Sequence, residues 1–323
     1  MMMRHIPVLL SEVLTALALR PGMHVIDGTL GDAGHAEAML GVIGESGKLL
    51  GIDADAEALL RAKQFLYAYT NQVTLVRDNF SELQKVLEET QFGHVDAILF
   101  DFGWSTPQFE ERKRGFSFTK TDEPLDMRYN TRLVCDPVES EPPLSLDGKQ
   151  LYSRCTAAEI VNTATEAELA ELFATYGEEP QAKGIAAAIV AKRNEVALET
   201  VGDLVSCVLE FYRKKFKTEK EVPWVGGLHP ATKVFQALRM RVNDELGVIE
   251  SVLPQAIDAL KIGGRLAVIT FHSLEDRIVK HYFKSQENKS LSIISKKPIV
   301  CGEQEYIENP RARSAKLRVI QKI

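Results

Sequence analysis

Residues Asp27–His35, DGTLGDAGH, follow a short apolar run, MHVI, and lead into a helix-like run, HAEAMLGVI. The order of strand, glycine-rich turn and helix start describes a ligand-binding turn. Gly28, Gly31 and Gly34 permit backbone angles closed to other residues and let a ligand approach the main chain, while the following helix supplies unpaired N–H groups. Asp27, at the strand end, accepts hydrogen bonds. A second apolar run, KLLGI, ends in Asp53. That is where a doubly wound sheet sets a carboxylate against a ribose diol. Together the two features fit an adenosine-bearing cofactor.

Outward from this turn the chain alternates apolar strands with helices. Ser11–Leu19 has the pattern of a short amphipathic helix with Ser11 as N-cap, stopped at Pro21-Gly22. After the turn come a helix to about Gly44, the strand ending at Asp53, a helix from Ala56 to Tyr69 and a third strand, VTLVRD. Ser81 is expected to cap the helix SELQKVLEE, and a fourth run, VDAILF, ends in Asp101. This pattern predicts a parallel sheet with right-handed crossovers whose ligands bind beyond the carboxyl ends of the strands. Asp27, Asp53, Asp78–Phe80 and Asp101 are therefore expected along one edge.

From Trp104 to about Gln150 the sequence is rich in proline, charge and turn residues, and it then turns helical over Thr156–Tyr176, Gln181–Glu195 and Val201–Phe216. Long irregular stretches inside a compact domain are functional more often than not, so residues 109–222 are read as an inserted, mainly helical substrate-recognition domain. Residues 1–108 and 223–323 form the sheet domain. In its second half two helices precede a Gly263-Gly264 turn, and RLAVITF supplies a fifth strand ending near His272. A helix follows from Ser273, and SLSIISKK with AKLRVIQKI read as a closing antiparallel pair.

A chain of 323 residues, 45% hydrophobic and 26% charged, has the profile of a globular protein rather than a disordered or membrane-spanning one. The amino-terminal stretch has only a five-residue apolar run, so cytoplasmic residence and no membrane association are expected. Cys135, Cys155, Cys207 and Cys301 are widely spaced, which predicts reduced thiols and no metal site. The net charge of -6 argues against a generic nucleic-acid coat protein and directs attention to local basic runs, RKKFKTEK at Arg213–Lys220 and the five basic residues after Asn309.

The blocks HIPVLLSEVL, DGTLGDAGHA, DFGWSTPQ, RGFSF, PLDMR, TYGEE, HPATKVFQALRMRVNDEL, GGRLAVITFHSLEDRIVKHYF and NPRARSAKLR span almost the whole chain. In order and spacing they resemble the bacterial small-subunit (16S) rRNA cytosine-N4 methyltransferases. The resemblance implies an α/β fold, a class I S-adenosylmethionine (SAM) methyltransferase sheet of Rossmann-like type interrupted by a helical insert. It implies SAM contacts at Ala33, Gly34, His35, Asp53, Phe80, Asp101 and Gln108. The backbone at 33–34 would approach the methionine part, Asp53 would take the ribose hydroxyls, Phe80 would pack on adenine, and Gln108 offers both donor and acceptor. The implied reaction is methyl transfer to N4 of a cytidine in the decoding centre of 16S rRNA, within the small ribosomal subunit. Asp101 is the candidate for orienting the acceptor amine, and Trp104 for receiving the unstacked base. Arg311 and Arg313, then Arg239 and Arg241, are candidates for rRNA phosphate. No obligate protein partner is implied.

The chain departs from the family pattern at Ala33, at Ala36, where a small hydroxyl residue is common, at Trp104–Thr106, and at Pro180, where an arginine is often found. Ala33 stands where the family has a glycine, and Trp104-Ser105-Thr106 replaces a smaller apolar residue followed by two serines. A nicotinamide-dependent dehydrogenase would also use a glycine turn and an acid at Asp53, but strict Gly-x-Gly-x-x-Gly spacing is missing. A non-catalytic rRNA-binding assembly factor with a degenerate SAM site is the alternative from another class. His272, Ser273 and Glu275 read as a helix start rather than as a catalytic triad.

Overall fold

The computed structural model describes residues 6–102, 113–129, 155–219, 222 and 227–323. Helices and strands follow in the order α1 Leu10–Leu17, β1 His24–Asp27, α2 Gly34–Ile43, β2 Lys48–Ile52, α3 Ala56–Phe65, β3 Val73–Val76, α4 Leu83–Thr90 and β4 Val95–Asp101. Then come α5 Ala157–Thr163, α6 Glu166–Thr175, α7 Ala182–Arg193, α8 Val201–Phe216, α9 Thr232–Val242 and α10 Glu245–Ala259. The chain closes with β5 Leu260–Thr270, α11 Ser273–Gln286, β6 Leu291–Ile293, α12 Glu303–Glu308 and β7 Lys316–Lys322. Contacts divide the chain into two compact units, Met1–Trp104 with Leu246–Ile323, and Ser105–Glu245.

The first unit is a seven-stranded sheet in the order β3-β2-β1-β4-β5-β7-β6. β1 to β5 run parallel, and β7 lies antiparallel between β5 and β6. Strands buried on both faces need apolar residues at every position, and the two-residue period then sends alternate side chains into two cores. Along β4, Ala97 and Leu99 join the core that holds α1 and α2, while Ile98 and Phe100 join the one beneath α10 and α11. β1 connects to β2 and β3 on one side, and β4 and β5 lie on the other. The order reverses between β1 and β4, and such a switch point opens a crevice at the carboxyl ends of the strands.

Local chemistry corrects several expected boundaries. α1 is preceded by Leu9, in a left-handed conformation and with no polar side-chain atom to cap the helix; its N–H donates to Glu305 Oε1 at 2.8 Å, and Ser11 is inside the helix. Asn79, not Ser81, caps the short 3-10 turn before α4 by accepting from Ser81 N. Gly263-Gly264 lie inside a long, irregular β5, whose register against β4 shifts between Val95 and Ala97. Among the described residues no helix is long and apolar enough to cross a membrane.

The second unit is helical. The expected single helix over Thr156–Tyr176 is two, α5 and α6, each opened by its own capping box, Thr156 with Glu159 and Thr165 with Glu168. In such a box the threonine side chain and the acid three residues on satisfy each other's backbone N–H, so the second box ends one helix and begins another. A third, Thr200 with Asp203, opens α8. Glu179 of TYGEE is buried, accepting from the Tyr212 hydroxyl at 3.0 Å and from Gln181 N at 2.8 Å, and burial pushes the Tyr212 hydroxyl up. The sheet domain was expected to resume at 223, but α9 belongs to the helical unit. Its Val234, Phe235, Ala237, Leu238 and Val242 are buried in the insert's own core, where α9 packs on α6.

Candidate active site

The edge of the first unit's sheet is built by the turn after β1. Gly28 N–H donates to Leu99 O at 3.0 Å, which brings the turn down onto β4. A Cβ on Gly28 would stand 2.2 Å from Phe100 Cε1. Phe100 is fully buried and cannot retreat, so Gly28→Ala is expected to cost about 2–3 kcal/mol of stability, at the upper end for overpacking. Chemical denaturation reads this directly, and an unchanged midpoint would contradict it. Thr29, a residue that sequence reasoning did not single out, ties the turn to Asp101: its Oγ1 accepts from Asp101 N at 2.6 Å. Thr29 N in turn donates to Asp27 Oδ1 at 3.2 Å.

Asp53, expected at the ribose position, is part-buried at the end of β2. Its Oδ2 accepts from Gly31 N and its Oδ1 from Asp55 N, both at 2.8 Å. The carboxylate thus joins the β1–α2 turn to the β2–α3 turn. The cap of α3 is a separate residue, Asp55, which accepts from Glu57 N.

Ala33, where the family has glycine, immediately precedes α2 with φ 59° and ψ 30°. Left-handed backbone costs a non-glycine residue roughly 1–2 kcal/mol. Two terms offset it: the methyl is fully buried, worth about 0.8 kcal/mol, and alanine restricts the unfolded chain by about 0.4–1 kcal/mol relative to glycine. Ala33→Gly is therefore expected to change stability by less than about 1 kcal/mol and to leave cofactor affinity unaltered. A thermal melt and a binding titration check both, and a gain in affinity would show that the methyl distorts the turn.

The edge is strongly electronegative. Asp27 is buried, and desolvation pushes its carboxyl up to about 6, helped by the charges of Asp101 and Asp53 and opposed by His35 and the Thr29 hydrogen bond. Burial favours its neutral form, and a cationic ligand beside it would favour the ionised one. His35 Nε2 is 2.9 Å from Val8 O and donates to it, and its Nδ1 is 4.0 Å from Asp101 Oδ2. Asp32 is held by Arg61 Nε at 2.8 Å. Phe80 is buried against Phe100 and Phe102, with ring centroids 5.8 and 5.4 Å away. Ala33, Gly34, His35, Asp53, Phe80 and Asp101 thus come together on this edge, while Trp104 and Gln108 lie outside the described residues.

The basic candidates separate. Arg311 and Arg313 share the 3-10 turn Pro310–Ser314, yet Arg313 is exposed over the Tyr306 ring, donating Nε to Tyr306 O, whereas Arg311 is half-buried and feels the charges of Asp101 and Asp32. Arg318 makes two bonds to Asp276, at 2.7 and 3.1 Å, and Lys322 donates to Ile257 O and Asp258 O, so much of the basic tail is committed internally. Within the helical unit, Arg239 pairs with buried Glu245 through Nε at 2.9 Å and Nη2 at 3.1 Å, and Arg241 acts on Glu168 through its charge. Arg213, Lys214 and Lys215 occupy the last turn of α8, where cations complement the helix dipole. His272 and Glu275 form the capping box of α11.

The expected cofactor carries a sulfonium, an ammonium, a ribose diol and a carboxylate. The edge offers groups of complementary chemistry: the carboxylates of Asp27, Asp53 and Asp101, and on Arg311 a buried Nη2 with no hydrogen-bond partner among the described residues. Relatives named ribosomal RNA small subunit methyltransferase H are similar to the chain over nearly its whole length. The protein from Heliobacterium mobile is 44% identical, covering 99% of each chain. That from Dictyoglomus thermophilum is 43% identical over 98% of this chain and 95% of its own, and that from Streptococcus mutans 41% identical over 99% and 98%. The model of the MraW methylase family matches residues 2–135 and 145–323, and the chain belongs to that family.

Proposed function

We propose that the chain transfers a methyl group from SAM to N4 of a cytidine in the decoding centre of 16S rRNA, acting in the cytoplasm on RNA held in the small ribosomal subunit. The observation that carries this reading is the carboxylate edge at the β1/β4 switch point, in a chain 44% identical over nearly its whole length to a small-subunit rRNA methyltransferase. SAM supplies, when bound, a methyl group on a sulfonium that leaves with its bonding electron pair on sulfur.

The protein then has to bind, align and desolvate. Asp53 would hold the ribose, and the N–H groups at the start of α2 the amino-acid part. An exocyclic amine shares its nitrogen lone pair with the ring, so an acceptor that fixes the N–H groups turns that pair toward the methyl. Asp101, at the end of β4 with its backbone pinned to Thr29, would supply that acceptor. The proton can leave after transfer, so a strong base is not required. Arg313, exposed on Tyr306, is the best placed of the basic candidates for RNA phosphate.

The reading as an assembly factor with a degenerate site loses its main support in the geometry of the turn. Ala33 adopts the left-handed conformation that glycine would take, so the helix start keeps its shape. Incubation with methyl-labelled SAM and small ribosomal subunits, followed by mass spectrometry of the rRNA nucleosides, tests the proposal. N4-methylcytidine is expected; label on another base, or none, overturns it.

A further inference from the structure

Resting on the reading of this edge as a SAM site, we infer that Arg311 binds the amino-acid carboxylate of the cofactor rather than a phosphate of the RNA. The first ground is where the residue sits. The terminal segments of the chain wrap the glycine turn: Pro7 carbons lie 3.2 Å from where a Gly34 Cβ would stand, Val8 O accepts from His35, and Leu9 N donates to Glu305. Asn309 Nδ2 donates to Ile6 O at 3.4 Å, so the 3-10 turn that carries Arg311 is fastened to the same structure.

The second ground is an unmet hydrogen bond. A guanidinium has five N–H donors and no acceptor, and it keeps its charge in proteins. Nη2 of Arg311 is buried and has no partner among the described residues, a costly arrangement unless a ligand supplies an acceptor. Burial lowers the proton affinity of this side chain, and the charges of Asp101 and Asp32 raise it.

The third ground is charge balance. Asp27, Asp32, Asp53 and Asp101 favour the sulfonium and ammonium of the cofactor but repel its carboxylate. Arg61 is committed to Asp32 through Nε, whereas Arg311 feels the charges of both Asp101 and Asp32. Its planar fork matches a carboxylate in two-pronged fashion. Arg313, two residues on, faces outward and is the residue suited to phosphate.

Calorimetry on the full chain with two nucleosides separates the possibilities. S-adenosylhomocysteine keeps the amino-acid part, and 5′-methylthioadenosine lacks it. Arg311→Ala is expected to weaken S-adenosylhomocysteine roughly 10- to 100-fold, the loss of a charged hydrogen-bonded pair, with 5′-methylthioadenosine unchanged. Arg311→Lys should recover part of the loss. Equal loss of both nucleosides would mean that the substitution only disturbs the turn, and overturns the inference. Unchanged S-adenosylhomocysteine affinity with weaker binding to small ribosomal subunits would return Arg311 to the RNA. Failure of the unsubstituted chain to bind either nucleoside would instead defeat the cofactor reading itself.

Discussion

The Asp53→Ala variant is expected to bind SAM at least tenfold more weakly than the parent chain, and the loss should approach two orders of magnitude. A carboxylate offers about four lone-pair sites, and in Asp53 two are taken by the N–H groups of Gly31 and Asp55. A ribose diol would bring its hydroxyl donors to the same carboxylate. Each hydrogen bond to a charged group contributes about 1.5–3 kcal/mol, so losing the diol contact alone accounts for roughly 10- to 150-fold in affinity. Alanine also releases Gly31, so the turn that approaches the cofactor loses its fixed position. Asp53→Asn should fall between, because its single side-chain oxygen can retain one of the two backbone bonds. Calorimetry with SAM gives the result, and a parallel melting curve shows whether the turn has loosened. Unchanged affinity in the alanine variant would remove Asp53 from the site.

The residues that sequence reasoning placed correctly are those whose signal is local. Strand ends are legible because an apolar run stops at a polar residue, and Asp27, Asp53 and Asp101 each mark such a stop on the same edge of the sheet. The two boxes Thr156–Glu159 and Thr165–Glu168 were equally legible, but hydrophobic periodicity running through both makes them look like one helix. What could not be read is pairing at a distance. Thr29 meets Asp101 across 72 positions, Arg61 meets Asp32 across 29, and Asn309 meets Ile6 across 303. Nothing in the local sequence distinguishes Arg311 from Arg313, although burial separates them. The end of the insert read from sequence, 222, differs from the contact boundary at Glu245 for a related reason: an amphipathic helix such as α9 shows which face is apolar and not which core receives it.

Asp101→Ala tests the chemical step, and its signature differs from that of Asp53. Asp101 is the last residue of β4, its backbone fixed by the Thr29 bond and that of the next residue by Phe102 N donating to Ile269 O at 3.0 Å. It is a part-buried acceptor whose Oδ2 is 4.0 Å from His35 Nδ1. If its task is to orient the acceptor amine, its removal should lower the single-turnover rate of methyl transfer at saturating SAM by about 100-fold or more, the usual scale for a positioned group acting on a transferred or reoriented proton. SAM affinity should change by much less than the rate. Asp101→Asn should keep part of the rate, since an amide oxygen still accepts a hydrogen bond but brings no charge. A fall in SAM affinity as large as the fall in rate would place Asp101 in the cofactor site alone. Ser105, four positions on in the sequence, would then be the next candidate for holding the acceptor amine. An Asp101→Ala, Ser105→Ala pair distinguishes the two. Additive losses would mark independent contacts, and a double variant no worse than the poorer single one would mark a shared hold on one amine.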